Sequence, residues 1–197
     1  LKHNTGFPSL QGEFFGGYTH QNRNSYTERA SLLFTNKKWE IDMLYSFGHG
    51  KRYYYYENKF AHTLTDGTFY AFSTHSDNIK RHLNHNIRLG INYHLAKDHQ
   101  LSFAYTSQLN NTRGTSEDDG DFTSLLRIHA KSQFHNFRLD YSTPFGFSAG
   151  AEYTYYNSPD EQWLKSSLYD EIYDITSQQR IDKWRAYLKQ EHDLGKD

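Results

Sequence analysis

Between Leu83 and Leu95 the chain alternates. Leu83, His85, Ile87, Leu89, Ile91, Tyr93 and Leu95 hold the odd positions; His82, Asn84, Asn86, Arg88, Gly90, Asn92 and His94 hold the even ones. One set is largely apolar and the other has no apolar side chain beyond glycine. A period of two places these sets on opposite faces of a β-strand, whereas a helix would mix them. The pattern repeats at Leu101, Phe103, Tyr105 and Leu109 against Gln100, Ser102, Thr106 and Gln108, after a polar turn at Ala96-Lys97-Asp98-His99. It recurs around Trp39, Ile41, Met43, Tyr45 and Phe47 (Leu44 being the exception), around Phe137, Leu139 and Tyr141, from Phe147 to Tyr155, and at Trp184, Ala186 and Leu188. Ala30, Leu32 and Phe34 precede the first of these, and a weaker strand spans Leu10 to Tyr18, where Gly12, Gly16 and Gly17 blur the faces. The expectation is an all-β, antiparallel up-and-down sheet of about eight strands. Leu126, Ile128 and Ala130 are apolar at even positions and Phe137, Leu139 and Tyr141 at odd ones, so a bulge or a loop boundary is expected near Lys131 to His135.

The connections fall into two classes. Asn36-Lys37, Ala96 to His99, Thr143 to Gly146 and the terminal stretch around Leu194-Gly195-Lys196 are short turns. Gly48 to Lys80, Asn111 to Ser124 and Asn157 to Arg180 read as long connections, the first with an Asp66-Gly67 hairpin dipeptide inside it. Short turns on one rim and long loops on the other are the plan of an outer-membrane barrel. A soluble sandwich has no reason to segregate loop lengths in this way.

Composition narrows the field. Twenty-two basic residues against 23 acidic ones leave a net charge of -1, which argues against binding a phosphate backbone. Cysteine is absent, so there is no disulfide framework and no thiolate metal site. Aromatics make up 17%, too many for a disordered chain. No apolar run approaches the ~20 residues of a membrane helix, but a barrel dilutes its apolar residues by alternation. The band from Ile87 to Leu95, at ~3.3 Å per residue and tilted by about 40°, spans roughly 23 Å, close to the ~25 Å apolar band of outer-membrane barrels.

The polar face carries Glu40, Asp42, Arg88, Asn92, Arg138, Asp140 and Glu152, and these are the candidate lumen-facing residues. Leu89, Ile91, Leu101, Phe103, Leu139 and Ala151 are expected to face lipid. Trp39, Tyr93, Tyr141 and Phe145 lie beside the short turns, where an interfacial aromatic girdle belongs.

The stretch NIRLGINYHLAKDHQLSFAYT, from Asn86 to Thr106, resembles the hairpins of the outer-membrane β-barrel family of TonB-dependent receptors. Gly90, Tyr93, Leu95, Leu101 and Tyr105 occupy the family's G-x-x-Y, turn and L-x-x-x-Y places. NKKWEIDMLYSFGHGKRYYYYENKF and RIDKWRAYLKQEHDLGK resemble further strands of that family, and the likeness spans most of the chain. It implies that residues 1–197 are a partial outer-membrane barrel domain from a Gram-negative envelope, part of a barrel of about twenty-two strands closed by a plug. It further implies nutrient transport powered through TonB. This piece would supply pore wall and extracellular ligand-capturing loops, while the plug and the TonB contact would belong to other parts of the parent protein. The competing expectations are a complete eight-stranded outer-membrane barrel with a structural or adhesive role, and a soluble sugar-binding β-sandwich.

No nucleophile elbow, phosphate loop or zinc-protease motif occurs, so no enzyme, no catalytic residue and no cofactor are expected. His82 and His85 should point to opposite faces, which argues against a shared metal. Glu117-Asp118-Asp119-Gly120-Asp121 lacks the ligand spacing of a calcium loop and reads as a solvated loop tip. Lys51-Arg52 before the Tyr53 to Tyr56 run suits an interface with anionic lipid better than nucleic-acid stacking, so lipid and lipopolysaccharide are the expected partners and nucleic acid is not. Asp170, Glu171 and Asp174 with Tyr169 and Tyr173 read as an ordinary polar loop.

Overall fold

A computed structural model describes residues 8–21, 23–96 and 99–191. They form strands β1 (Ser9–Gln21), β2 (Arg23–Thr35), β3 (Trp39–Thr63), β4 (Phe69–Ala96), β5 (His99–Gly120), β6 (Ser124–Ser142), β7 (Phe147–Ser166) and β8 (Tyr173–Gln190). All eight lie in one antiparallel sheet in chain order, so the fold is all-β and up-and-down as expected. Each strand pairs with its sequence neighbours, and among the described residues β1 and β8 do not pair with each other.

The alternation becomes a two-dimensional pattern once the register is known, because directly opposed residues share a face. One row crosses the whole sheet as Leu10, Phe34, Ile41, Ile91, Phe103, Leu139, Ala151 and Ala186. The next row is Gly12, Leu32, Met43, Leu89, Tyr105, Phe137, Tyr153 and Trp184. On the short-turn side lies Trp39, Tyr93, Leu101, Tyr141, Ala149 and Leu188. Rings meet within these rows, Trp39 with Tyr93 at 4.2 Å, Tyr105 with Phe137 at 4.7 Å and Tyr153 with Trp184 at 4.3 Å. The result is a continuous apolar band on one face. Nothing among the described residues covers it: no hydrophobic side chain there is buried, and Trp184 and Leu188 are 76% and 78% exposed. A soluble sandwich would pack this face against a second sheet, and the described residues form only one.

The short turns have local causes. The Asn36 Oδ1 accepts from the backbone N–H of Lys38 at 2.7 Å and of Trp39 at 2.8 Å, closing the β2–β3 turn. Gly146 takes φ +73°, and a Cβ there would stand 2.1 Å from the Glu191 carbonyl oxygen, so glycine is required. Between Ala96 and His99, which pair with each other, Lys97 and Asp98 lie outside the described residues, as does Leu194-Gly195-Lys196.

Two sequence expectations need correction. The long connections are mostly strand. β3 and β4 pair continuously from Trp39↔Tyr93 to Thr63↔Phe69, with a tight turn at Leu64 to Thr68, and β5 and β7 likewise run on to Gly120 and Ser166. The expected break near Lys131 to His135 is also absent. β6 stays in one register against β5 from Ser124↔Asp118 to Ser142↔Gln100. Leu126, Ile128 and Ala130 therefore lie on the polar face, and it is the polarity of the faces that changes along the strand, not the register.

Candidate functional site

The register places every candidate polar residue on one face. Glu40, Asn92 and Asp140 share a row with Ser102, Gly150 and Tyr187. Asp42, Arg138 and Glu152 share the next row with Gly90, Ala104 and Arg185. Arg88 lies one row farther, between Leu44 and Thr106.

These residues gather in two groups. On β3–β5 the Asn92 side chain accepts from Gln100 Nε2 at 3.2 Å, and His94 stands 3.9 Å from Glu40. Asp42 leans across Gly90, where a Cβ would meet its Oδ1 at 2.1 Å. On β6–β8 Arg138 pairs with Asp140 at 2.7 Å, and the Tyr187 hydroxyl donates to the same carboxylate at 2.5 Å. The Tyr187 ring lies over Gly150, where a Cβ would stand 2.4 Å from its Cε1. Glu152 accepts from Asn136 at 2.8 Å and faces Arg185 at 3.6 Å. Arg138 and Asp140 thus pair along β6 and Glu152 faces Arg185 across β7 and β8, and such exposed pairs stabilise a polar sheet face modestly. Tyr187 is the member that alternation hides, since an aromatic residue there does not register as polar.

Toward the far ends of the strands the faces exchange character. The polar face gains Tyr54, Tyr56, Leu126, Ile128, Leu164 and Ile175, while the opposite face carries Lys51, Arg81, Arg113, Arg127 and His129. Strand parity splits the tyrosine run accordingly, with Tyr53 and Tyr55 on the face that continues the apolar band.

The remaining motifs are placed as follows. His82 opposes Gly50 on the polar face and His85 opposes Phe47 on the apolar one, as their spacing requires. His129 and His135 do share a face, because β6 is unbroken, but about 20 Å of strand separates them. His129 lies 3.6 Å from Glu161, and His135 Nδ1 is 2.9 Å from the Tyr105 hydroxyl. The acidic run is not a free loop tip: Glu117 to Gly120 is paired strand. There the Asp118 carboxylate accepts from Ser76 and Ser124, and Asp121 accepts from the Ser73 N–H at 2.6 Å. Asp170 and Glu171 sit in the β7–β8 turn and Asp174 in β8, with Tyr169 edge-on to Tyr173 at 5.4 Å.

No protein-family model matches the chain, and no curated protein matches it either. Among solved structures, the ferric yersiniabactin uptake receptor FyuA of Yersinia pestis is similar at 12% identity and a TM-score of 0.49, over 84% of this chain. The chain spans 25% of that receptor's length. Ail, the attachment invasion locus protein of Yersinia pestis, is similar at 13% identity and a TM-score of 0.24, over 92% of this chain and 91% of that one. A major outer membrane protein of Thermus thermophilus is similar at 11% identity and a TM-score of 0.21, over 92% and 96% of the two chains.

Proposed function

We propose that this chain is wall of an outer-membrane β-barrel of the TonB-dependent receptor type, serving nutrient uptake rather than catalysis. The observation that carries the bilayer reading is the apolar band: continuous rows of apolar and aromatic side chains cross the sheet, and none of the described hydrophobic residues is buried. In water this surface would far exceed what soluble monomers expose. In a bilayer it needs no cover, and the paired ladder satisfies the backbone. A shallow apolar hollow of ≈ 730 Å³ between Leu101, Leu139, Tyr141 and the small residues Ala149, Ala151 and Ala186 suits a lipid chain. The charge-paired opposite face suits a wet lumen containing Glu40, Asp42, Arg88, Asn92, Arg138, Asp140 and Glu152. Among the described residues β1 and β8 do not pair with each other, which favours a sheet continued by further strands, while the strand number suits a closed eight-stranded barrel.

The three native tryptophans test the bilayer reading. Trp184 lies mid-band, Trp39 at its short-turn edge and Trp163 beyond its far edge on the same face. In lipids brominated near mid-chain, Trp184 should be quenched strongly and Trp163 weakly, assigned from single-tryptophan variants. Equal insensitivity of all three to brominated lipid would overturn the reading.

A further inference from the structure

We propose that Lys51, Arg81 and Arg113, with Arg127 and His129 beside them, form a site for the phosphate groups of lipids in the leaflet that surrounds the long-strand end of the sheet. The inference rests on the bilayer reading above. Lys51, Arg81, Arg113 and His129 are consecutive partners in one row on β3 to β6, with Arg127 in the next row. Neighbouring strands are ~4.8 Å apart, and like charges directly opposed destabilise a sheet. Nothing among the described residues relieves this. None of Lys51, Arg81 and Arg113 has an ion pair or a side-chain hydrogen bond among them. The acid in the row, Glu161, stands 3.6 Å from His129 at its far end. Asp77 and Glu117 lie on the same face but farther along the strands, and Asp77 is already held by the Tyr53 hydroxyl. The Lys51 ammonium is held below its ordinary pKa by desolvation and then by the Arg23 and Arg81 guanidiniums. Lys51, Arg81 and Arg113 are thus three successive cations without an ion pair among the described residues, the acids of these rows, Glu161 and Asp174, lying on β7 and β8 beyond His129 and Arg127.

Its position names the anion. The row lies on the face that carries the apolar band, and Arg81 stands two positions, about 7 Å along the strand, beyond Leu83 on the long-strand side, with Ile79 and Tyr53 opposed in the next row out. That is the depth of the headgroup layer beyond the hydrocarbon. Arg127 adds an amphipathic contact, its guanidinium 5.2 Å from the Trp163 ring centre, as suits an interface. Arginine forks match phosphate oxygens, and a lysine adds a compact charge. A lipid bearing two phosphates could bridge neighbouring cations of the row while its chains lie on the band below.

The test uses the full-length protein in phosphatidylcholine nanodiscs doped with bisphosphorylated lipid A, or with the same lipid stripped of phosphate, and native mass spectrometry to count retained lipid. The unmodified protein should retain the phosphorylated form in preference to the stripped one. The variant K51Q/R81Q/R113Q should lose that preference by on the order of a hundredfold. R52Q/K80Q, which removes the opposed cations of the other face, should keep it. Inorganic phosphate should compete poorly. If the protein inserts in neutral lipid but does not discriminate the phosphate forms, or if R52Q/K80Q loses the preference equally, the site is wrong while the bilayer reading stands. A triple variant that fails to fold leaves the comparison of lipid forms on the unmodified protein to decide. Failure to insert in any lipid overturns both.

Discussion

Leu89 and Asn92 sit three residues apart on β4 and on opposite faces, in contact with Met43 and Tyr105 in one row and with Glu40 and Ser102 in the other. An arginine at position 89 would hold a charge near mid-bilayer, so Leu89→Arg should cost about 2–4 kcal/mol in a bilayer-folded protein. Asn92→Arg should cost far less, because that position is already flanked by a carboxylate. Denaturant titration of both variants in vesicles measures the difference, and equal costs would contradict the face assignment. The Tyr187 side chain allows a finer division. Its ring covers Gly150 and its hydroxyl meets Asp140. Tyr187→Phe keeps the ring and loses the hydrogen bond, at a cost of about 1 kcal/mol. Tyr187→Ala uncovers the glycine as well and should cost clearly more. Matching stabilities for the two variants would show that the ring contributes nothing.

At the scale of elements, the legible and the illegible parts of the strands have a common physical origin. Where Trp39 to Phe47, Leu83 to Tyr93 and Phe137 to Tyr141 cross the band, one face is apolar and the other polar save for Leu44, so the faces could be read directly. Beyond the band both faces carry polar and apolar side chains together. The strands continue, but Lys51 to Thr63 shows no alternation, and an uninterrupted ladder reads as a loop. The same loss of one-sidedness made Leu126, Ile128 and Ala130 look like a register break, when the β5–β6 ladder passes through them unshifted. The candidate polar residues were legible for the same reason as the band; their grouping around Gly90 and Gly150 was not, because it depends on which strand lies alongside. The β3–β4 tip was legible from Asp66-Gly67 alone. Gly67 takes φ +86°, and the Asp66 carboxylate accepts from the Thr68 N–H at 2.9 Å. That bond holds the Asp66 pKa below its ordinary value. A depressed folded-state pKa means that the contribution is complete above the ordinary carboxylate range and fades as pH falls through the folded value. Amide exchange at Thr68, corrected for intrinsic rate, should therefore quicken on acidification below the ordinary carboxylate range. In Asp66→Asn the pH-dependent part should vanish; its persistence would assign the effect to another group.

For the whole molecule, the decisive feature is that a sheet with a continuous apolar face ends, among the described residues, on two strands that do not pair with each other. β1 offers Ser9–Gln21 and β8 offers Tyr173–Gln190 as free ladder edges, with Leu10 67% and Trp184 76% exposed on them. A free edge beside an apolar face recruits whatever strand comes near. In a larger barrel that partner is the next strand of the wall; in water it is another copy. This chain, isolated without detergent, should therefore aggregate, and a monodisperse detergent-free monomer would count against the open sheet. The absence of native cysteine gives a sharper measurement. Closing a barrel staggers the pairing of its first and last strands by a fixed shear, so single cysteines are stepped along the polar face of β1 from Gln11 to Thr19 and combined with single cysteines stepped along the polar face of β8 from Ile175 to Tyr187. In a closed eight-stranded barrel one set of these combinations would come within the Cα separation of about 4.4–6.8 Å that a disulfide needs, and would oxidise within a single chain. In a wall continued by further strands none of the combinations should do so in the full-length, bilayer-folded protein. Intramolecular disulfide formation across these edges would reject the larger barrel and make the eight strands a complete pore of their own.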